Sequence, residues 1–495
     1  MAAIAGLLAS LAFPPLCLWG LAWVALAPLL LAMAHCHRRR QAAALAYLYG
    51  LTTWAACVPW IGVTVVVWTR SAVGWAAWAL LCAIQSLWYA AWGGLTWSMC
   101  RRGGLNAAFG LAGSWTVMEW ARTLGPLAMP WCFLSHTLYG ATPLLQAASL
   151  GGAGLLTFCI ALVNAAALAA LHPSENAAFR RAPAIGAPLV VAACTLATGW
   201  LIAALMDASP GHSLPAVRIT AMQPNVGTNP LGPAEREALR SAIADLATRA
   251  ARERPLIVAW PESTADDLAG DKEENALFAR VARTTKAWQI VGSGGSSADG
   301  RPTNSAFALN PRGEVVARYD KRQLVPFGEW TPARSLFAPA DRWFRFVEDN
   351  AAGTDDRPLD VGGLRVGPLI CYESVFPSLV RRSAARGASV LLNLTNDSWA
   401  GRSASLEQHL AMTVLRAVEV RRPVVIAGLT GPTACVVSDG RATRIHPHEQ
   451  GHLTLDVSPR TDTTPYLRWG DTPLLLLCAV LIAAALRPDR RRQRR

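Results

Sequence analysis

The sequence predicts two joined parts: a polytopic α-helical membrane domain of about eight spans, and an extracytoplasmic α/β domain of stacked sheets covered by helices. Three observations predict this. Apolar residues crowd into 1–206 and 473–486, while 207–467 has the composition of an ordinary soluble domain. Clusters of Arg sit at the ends of the apolar stretches, where membrane topology places them. Between Val217 and Val457 short apolar runs alternate with helical periodicities. With 52% hydrophobic residues, 16% charged residues and 20 Trp, the whole chain is too apolar for a single soluble domain. The formal charge of +13 is no nucleic-acid footprint, because the arginines behind it flank apolar spans.

The spans follow in order. Met1–Phe13 is apolar but shorter than the roughly 20 residues that cross a bilayer. Pro14 and Pro15 break it, and Leu16–Ala34 follows as a full span. No basic segment precedes the first run, so it reads as a short true span rather than a secretory leader. Arg38–Arg40 closes that hairpin; Ala42–Trp68 and Ala72–Met99 turn at Thr69–Ser71 and close at Arg101–Arg102. Leu105–Ala121 and Leu144–Leu171 come next, then a polar loop with Arg180–Arg181, then Pro188–Met206, and finally Leu474–Leu486. If each crosses once, Arg38–Arg40, Arg101–Arg102, Arg180–Arg181 and the tail Arg487–Arg495 share one side. The positive-inside rule makes that side cytoplasmic, and parity puts 207–467 outside. The expected domains are therefore 1–206, 207–467 and 468–495.

Within the outer part, strands are expected at Val217–Met222, Leu256–Trp260, Gln289–Gly292, Ala306–Leu309, Glu314–Tyr319, Leu364–Ile370, Val390–Leu394, Val424–Ala427 and Ala434–Val437. Helices are expected at Ala234–Arg252, Glu274–Thr285, Phe376–Ala385 and Leu406–Val420. The first helix sets Leu239, Ile243, Leu246 and Ala250 on one face, a buried stripe. Gly292–Gly295 (GSGG) lacks the context of a phosphate cradle and reads as a loop.

The candidate chemistry sits at strand ends. Val366–Ile370 runs into Cys371, flanked by Tyr372 and Glu373; Leu256–Trp260 runs into Pro261 and Glu262; Glu314–Tyr319 runs into Asp320 and Lys321. Any single Cys is more often a buried structural residue, and a Glu or Lys after a strand is usually just solvated. A thiol, a carboxylate and an ammonium in one domain, each where α/β sites gather, point to nucleophilic catalysis. Glu262 can take the thiol proton and later return it, and Lys321 can meet an oxyanion with the backbone N–H after Cys371. Lys321 is also expected to favour the thiolate. Of 11 Cys the outer part holds only Cys371 and Cys435, and pairing them would remove the nucleophile. No CxxC, HExxH or Cys/His cluster is present, so neither metal nor cofactor is expected.

WPES (260–263), DKRQLVPFGEW (320–330), LICYES (369–374) and NDSW (396–399), with Gln408–His409 and the stretch Arg416 to Pro423, are similar in order and spacing to the nitrilase superfamily. More narrowly, over nearly the whole chain, the sequence resembles the apolipoprotein N-acyltransferases. The resemblance implies an αββα sandwich and a Glu262–Lys321–Cys371 triad, with Glu329 as a second acid and Tyr372 and Glu373 shaping the site. It also marks Asn396 and Trp399 in NDSW, and Trp131, Glu119 and Arg122 at the outer junction of membrane and domain. Glu119 and Arg122 equally read as an interfacial ion pair within an aromatic belt. Implied partners are a phospholipid acyl donor, a diacylglyceryl apolipoprotein acceptor and the membrane, with no nucleic acid and a monomeric enzyme. The implied place is the bacterial inner membrane, with the catalytic domain in the periplasm. Three stretches depart from the family pattern: Gly227–Ala234 lacks a Trp, Ala400–Gly401 replaces Phe-Gly, and VVIAGLTG follows Arg422–Pro423. They keep open a membrane-bound paralogue that acylates or hydrolyses another amine or amide, for example one linked to conjugation. A non-catalytic scaffold is the remaining alternative.

Overall fold

Length, composition and the positions of Pro and Gly decide the helices of the first part. The computed structural model describes residues 1–171, 178–208, 213–227, 232–332, 334 and 349–487, with backbone alone at 178–181. These fall into two units: one of Met1–Leu124, Ala128–Leu205 and the chain from Arg468 on, the other of Gly125–Leu127 and Met206–Leu467.

In the first unit Val73–Arg102, Ala148–Leu171 and Ala182–Ala208 are each long and apolar enough to cross a bilayer. Arg39–Cys57 and Pro59–Thr69 make a further, broken span bent by 57°. The bend lies where Pro59 lacks an N–H and pushes Val58 out of helical geometry, to φ −125 and ψ 39. The apolar run read as Ala42–Trp68 is thus two helices. Met1–Phe13 forms the helix Ala2–Ala12; Leu16–Ala34 divides into a 3-10 turn and the helices Ala22–Ala25 and Ala27–Ala34; the last helix is Thr472–Leu486. All three segments are apolar but short. The described helices therefore support three or four spans by length and composition, and a total of about eight is not established by them. Leu80, Leu87 and Leu95, and on another helix Val190, Leu201 and Leu205, stand exposed, as lipid-facing side chains do. Of the basic clusters, the Arg180 and Arg181 side chains and residues 488–495 lie outside the described residues.

The second unit is built on strands β1 (Val217–Gln223), β2 (Ile257–Ala265), β3 (Trp288–Ser296), β4 (Pro302–Leu309), β5 (Val315–Asp320), β6 (Leu359–Val361), β7 (Leu364–Ile370), β8 (Val390–Thr395), β9 (Val424–Gly428), β10 (Ala434–Val436), β11 (Ala442–Arg444) and β12 (Gly451–Val457). They form two six-stranded sheets, ordered β12-β1-β2-β3-β4-β5 and β11-β10-β9-β8-β7-β6. In each sheet a parallel trio, β1-β2-β3 or β7-β8-β9, is flanked by antiparallel strands. β8 and β9 are buried at every position, as strands covered on both faces must be.

Ile219, Ile257, Ile290 and Ala308 of one sheet pack with Val366, Ile370, Leu392 and Val425 of the other in a single core. The outer face of the first sheet is covered by the helices Pro233–Glu253 and Lys272–Thr285, through Leu239, Ile243, Leu246, Phe278 and Val281. Pro377–Ala385 and Ser405–Val420 pack on the second sheet. The layering is αββα. Three strands escaped the sequence reading: β6 and β11 are three-residue edge strands, and β12, which turns Leu453, Leu455 and Val457 to the core, completes its sheet by pairing with β1 from far along the chain.

Candidate active site

β7 delivers the candidate nucleophile, Cys371. Its buried run ends at Ile370, and Cys371 turns into a 3-10 segment, Cys371–Val375, at φ +51. A non-glycine residue in the left-handed region costs of order 1–3 kcal/mol and persists only where its surroundings hold it. Glu373 supplies much of that hold. Its carboxylate accepts from Ile370 N at 2.9 Å, Tyr319 Oη at 2.8 Å, Arg322 N at 2.7 Å and Gln323 N at 3.3 Å. Burial pushes its pKa up, against the pull of those donors. Glu373 thus buckles the nucleophile turn to the segment that carries Lys321. From below, His409 Nε2 and Ser374 Oγ both reach the Cys371 carbonyl at 3.2 Å.

The other sheet supplies the charges. Glu262 lies inside β2 rather than beyond its end, as the sequence reading had it, at a point where pairing with β3 shifts register between Trp260 and Ala265. Pro261 cannot donate to the ladder, and Ser263 at φ +59 completes the irregularity. The GSGG stretch is strand, not loop: Gly292 belongs to β3, and a Cβ there would stand 2.5 Å from Glu262 Cα. Glycine is what lets the two backbones meet. Glu262 Oε2 accepts from Asn396 N at 2.8 Å, and Oε1 accepts from Asn304 Nδ2 at 2.6 Å and Lys321 Nζ at 3.2 Å. Lys321 follows β5 directly and is 1% exposed; its Nζ also donates to Glu329 Oε1 at 2.9 Å. Asn304 Nδ2 reaches that same Glu329 oxygen at 2.7 Å, while Val325 N donates to Glu329 Oε2 at 2.8 Å.

These charges decide the resting state. Burial works against the Lys321 ammonium, but Glu262 and Glu329 outweigh it and hold its pKa well above the usual lysine value. Burial pushes the Cys371 thiol well up, and Glu262 adds to this more than Lys321 subtracts. Lys321 does favour the thiolate, as expected, but burial and Glu262 outweigh it. Its charge is shared by two carboxylates, and the thiol rests protonated until a base takes its proton.

The structure gathers Glu262, Lys321, Glu329, Cys371, Glu373 and Asn396 into one network. The Asn396 side chain caps its own turn, accepting from Ser398 N and Oγ, so its backbone is the part that meets Glu262. Trp399 is half-buried in the same turn. Tyr372 is half-buried and packs edge-on against Phe376. Glu119, Arg122 and Trp131 form a cluster of their own in the helical unit. Glu119 accepts from Trp115 Nε1, Leu134 N and Thr157 Oγ1, while Arg122 Nη2 donates to the Trp131 carbonyl at 2.7 Å. Both side chains are buried, and these bonds tie them into that segment.

Sequence reasoning missed Asn304, Asp397 and the role of His409. Asn304 carries no signal, since a polar residue in an alternating strand is ordinary. Asp397 and His409 stood within quoted motifs without a function. Of the divergent stretches, Val424–Gly428 is β9, and Leu429 N bonds to Thr395 O at 3.0 Å; residues 228–231 of Gly227–Ala234 lie outside the described residues. Cys371 and Cys435 are both free thiols. Among the described residues no group of three or more His, Cys, Asp or Glu could hold a metal ion.

Residues 5–166 match the family described as apolipoprotein N-acyltransferase N-terminal domain, and residues 218–459 match the carbon-nitrogen hydrolase family. A protein named apolipoprotein N-acyltransferase from Geobacter metallireducens is 32% identical over 95% of this chain and 91% of its own length. One of the same name from Pseudomonas putida is 31% identical over 98% of this chain and 96% of its own. Among solved structures, an amidase of the nitrilase superfamily from Nesterenkonia AN1 is similar over 51% of this chain and 94% of its own, with TM-score 0.40 and 23% identity.

Proposed function

The chain belongs to the apolipoprotein N-acyltransferase family, and from that premise we propose that Cys371 carries a fatty acyl chain, as a thioester, from a membrane phospholipid to a lipoprotein. The acceptor is the α-amino group of the lipidated N-terminal cysteine. The observation that carries this reading is the buried Lys321 ammonium shared by Glu262 and Glu329 on one sheet, with its charge and that of Glu262 acting on the strained Cys371 of the other.

In the first half-reaction Cys371 Sγ attacks the phospholipid ester carbonyl while Glu262 takes the thiol proton. The oxyanion is met by Lys321 Nζ and the Tyr372 N–H. Collapse expels the lysophospholipid alkoxide, which takes the proton from Glu262 and leaves a thioester. In the second half the lipoprotein amine attacks that thioester. Glu262 removes the amine's proton and returns it to the leaving Cys371 sulfur, which closes the cycle. Glu329 and Asn304 keep Lys321 and Glu262 in register. Exposures of 6% for Glu262, 1% for Lys321 and 5% for Cys371 fit a thioester that water must not reach.

The same reading makes 207–467 the catalytic domain, between a membrane domain 1–206 and a last span with its basic tail, 468–495. The basic clusters, taken as cytoplasmic in a bacterial inner-membrane protein whose apolar runs each cross once, support a periplasmic position for that domain. Every residue the scheme uses comes from one copy of the chain, which supports a monomeric enzyme. Complementation of a strain depleted of its own N-acyltransferase, with mass spectrometry of a lipoprotein N-terminus, tests the assignment. The N-terminal cysteine should gain a third acyl chain, and growth without that product would refute the acceptor.

A further inference from the structure

Beneath the nucleophile lies a set of buried groups that the acyl-transfer scheme leaves unused. Asp397, in the turn after β8, sets its carboxylate oxygens 3.3 and 3.2 Å from His409 Nδ1. On the other side of the ring, His409 Nε2 stands 3.2 Å from the Cys371 carbonyl oxygen and 2.8 Å from Ser374 Oγ. Asp397 is 1% exposed, His409 6% and Ser374 0%. A carboxylate and a carbonyl can only accept, and an imidazolium is the form of His409 that donates to both at once. Ser374 agrees with this assignment. Its hydroxyl donates to the Cys371 carbonyl at 3.2 Å, which leaves Oγ to accept from His409 Nε2 and from Asn393 Nδ2 at 3.1 Å.

We propose that His409, kept cationic by Asp397, is a positioning residue for the oxyanion: it fixes and polarises the peptide unit that joins Cys371 to Tyr372. That unit has two working ends. Its C=O faces His409 and Ser374, and its N–H belongs to Tyr372, the backbone donor assigned to the oxyanion above; the inference rests on that reading. Two donors on the carbonyl hold the peptide plane while Cys371 sits at φ +51. Charge drawn toward the carbonyl oxygen strengthens the N–H at the other end as a donor. Such a donor costs no reorganisation as charge develops, which is where preorganised sites gain most. The carboxylates acting on His409 are Asp397 and, from β2, Glu262. Burial opposes the cation, but these carboxylates and the Cys371 carbonyl outweigh it and raise its pKa above the ordinary histidine value.

The test separates chemistry that makes an oxyanion from chemistry that does not. Full-length Asp397→Asn and His409→Gln are compared with wild type in two assays: acylation of Cys371 by phosphatidylethanolamine vesicles, followed by intact mass, and alkylation of Cys371 by iodoacetamide. Alkylation is a displacement at sp³ carbon and creates no oxyanion. Acylation should fall roughly 10- to 100-fold in both variants, approaching the loss of one oxyanion donor, while alkylation stays within about twofold. Asn at position 397 keeps the shape but not the charge. The acylation rate of Asp397→Asn relative to wild type should therefore recover as pH falls through about 6.5, where an ordinary imidazole gains its proton; that of His409→Gln should not. A parallel loss of alkylation would make His409 a mere support for the thiol and overturn the inference, as would unchanged acylation or a flat pH ratio. A wild-type enzyme that alkylates at Cys371 yet never acquires an acyl adduct would overturn the acyl-transfer reading itself, and this inference with it.

Discussion

Glu262→Gln should make Cys371 more reactive as a bare thiol and far worse as a catalyst. In the proposed scheme Glu262 is both the proton acceptor and a source of negative charge, and the substitution removes the two roles together. Around a neutral thiol the charges of Glu262, Glu329 and Lys321 leave a net negative site, which the change neutralises. At 3.2 Å the Lys321–Glu262 contact is worth about 5 kcal/mol of gross attraction at an effective dielectric near 20. Without it more of the Lys321 field reaches the sulfur. The thiol is raised first by burial and then by Glu262, against Lys321. Burial is untouched, the second cause disappears and the opposing one grows, so its pKa should fall. Glutamine cannot present acceptors both to Asn396 N and to Lys321 with Asn304, and one orphaned contact costs about 1–3 kcal/mol. That is within the margin of a folded domain. The assay is the rate of iodoacetamide alkylation against pH, beside acyl transfer to a diacylated lipoprotein peptide. Transfer should drop about 10²–10⁴-fold, the span general-base catalysis commonly covers. An alkylation midpoint that stays or rises, or transfer within tenfold of wild type, would refute the assignment of Glu262.

Other consequences follow from the same geometry. Cys371→Ala and Cys371→Ser should insert and express normally yet form no acyl adduct and no product; turnover by either would make Cys371 structural. A reporter active only outside the cytoplasm should work when fused after Asp207 or near Arg460 and fail after Arg181; the reverse would mean that a span is miscounted. Glu419→Ala strands Arg416, which is 1% exposed and paired to it through contacts of 2.6 and 2.7 Å; thermal denaturation should show a loss of about 3–5 kcal/mol. Because His409 has a raised pKa in the folded state, its protonation stabilises the fold fully below about pH 6.5, the unfolded value, and that contribution is lost as pH rises through the folded value. The stability gap between wild type and His409→Gln should narrow over that range when denaturant midpoints are compared.

The triad could be read from the chain because each member sits at or just past a short apolar run, and such runs are strands whatever they pair with. β7 was placed to the residue, since its run from Val366 to Ile370 is buried at every position and stops at Cys371. What pairs with what was not readable: β12 alternates as a strand does, through Leu453, Leu455 and Val457, but nothing in its sequence says that it joins β1 from the far end of the domain. Side-chain networks were hidden for the same reason. Asn304 looks like any polar position of β4, and only the fold brings its amide to within 2.7 Å of both Glu262 and Glu329. In the helical unit, hydropathy marked the apolar runs but not the backbone breaks at Pro59, or at Gly152 with φ +72, that divide or kink them. Apolar length alone counts runs; it does not count crossings.

The division of labour between the two sheets explains why this layering suits acyl transfer. One sheet holds base, cation and the Asn304 amide on β2, β4 and the end of β5; the other holds the thiol after β7 and the Asn396–Asp397 turn after β8. A thiolate beside a standing ammonium would form before substrate arrived, and a lone buried carboxylate would be costly. Sharing Lys321 between Glu262 and Glu329 avoids both, because the ammonium is compensated while the thiol stays protonated. In the proposed scheme the thiol's proton moves to Glu262, across from one sheet to the other, as the acyl carbonyl begins to carry charge. The buckle at Glu373 is bonded to both the nucleophile turn and the Lys321 segment, and so holds the two in register. If so, loosening the buckle should cost acylation more than it costs simple alkylation, because only acylation needs the cation and the thiol in register at the same instant. Glu373→Gln, measured in both assays, decides it: equal losses would mean that Glu373 supports the fold alone.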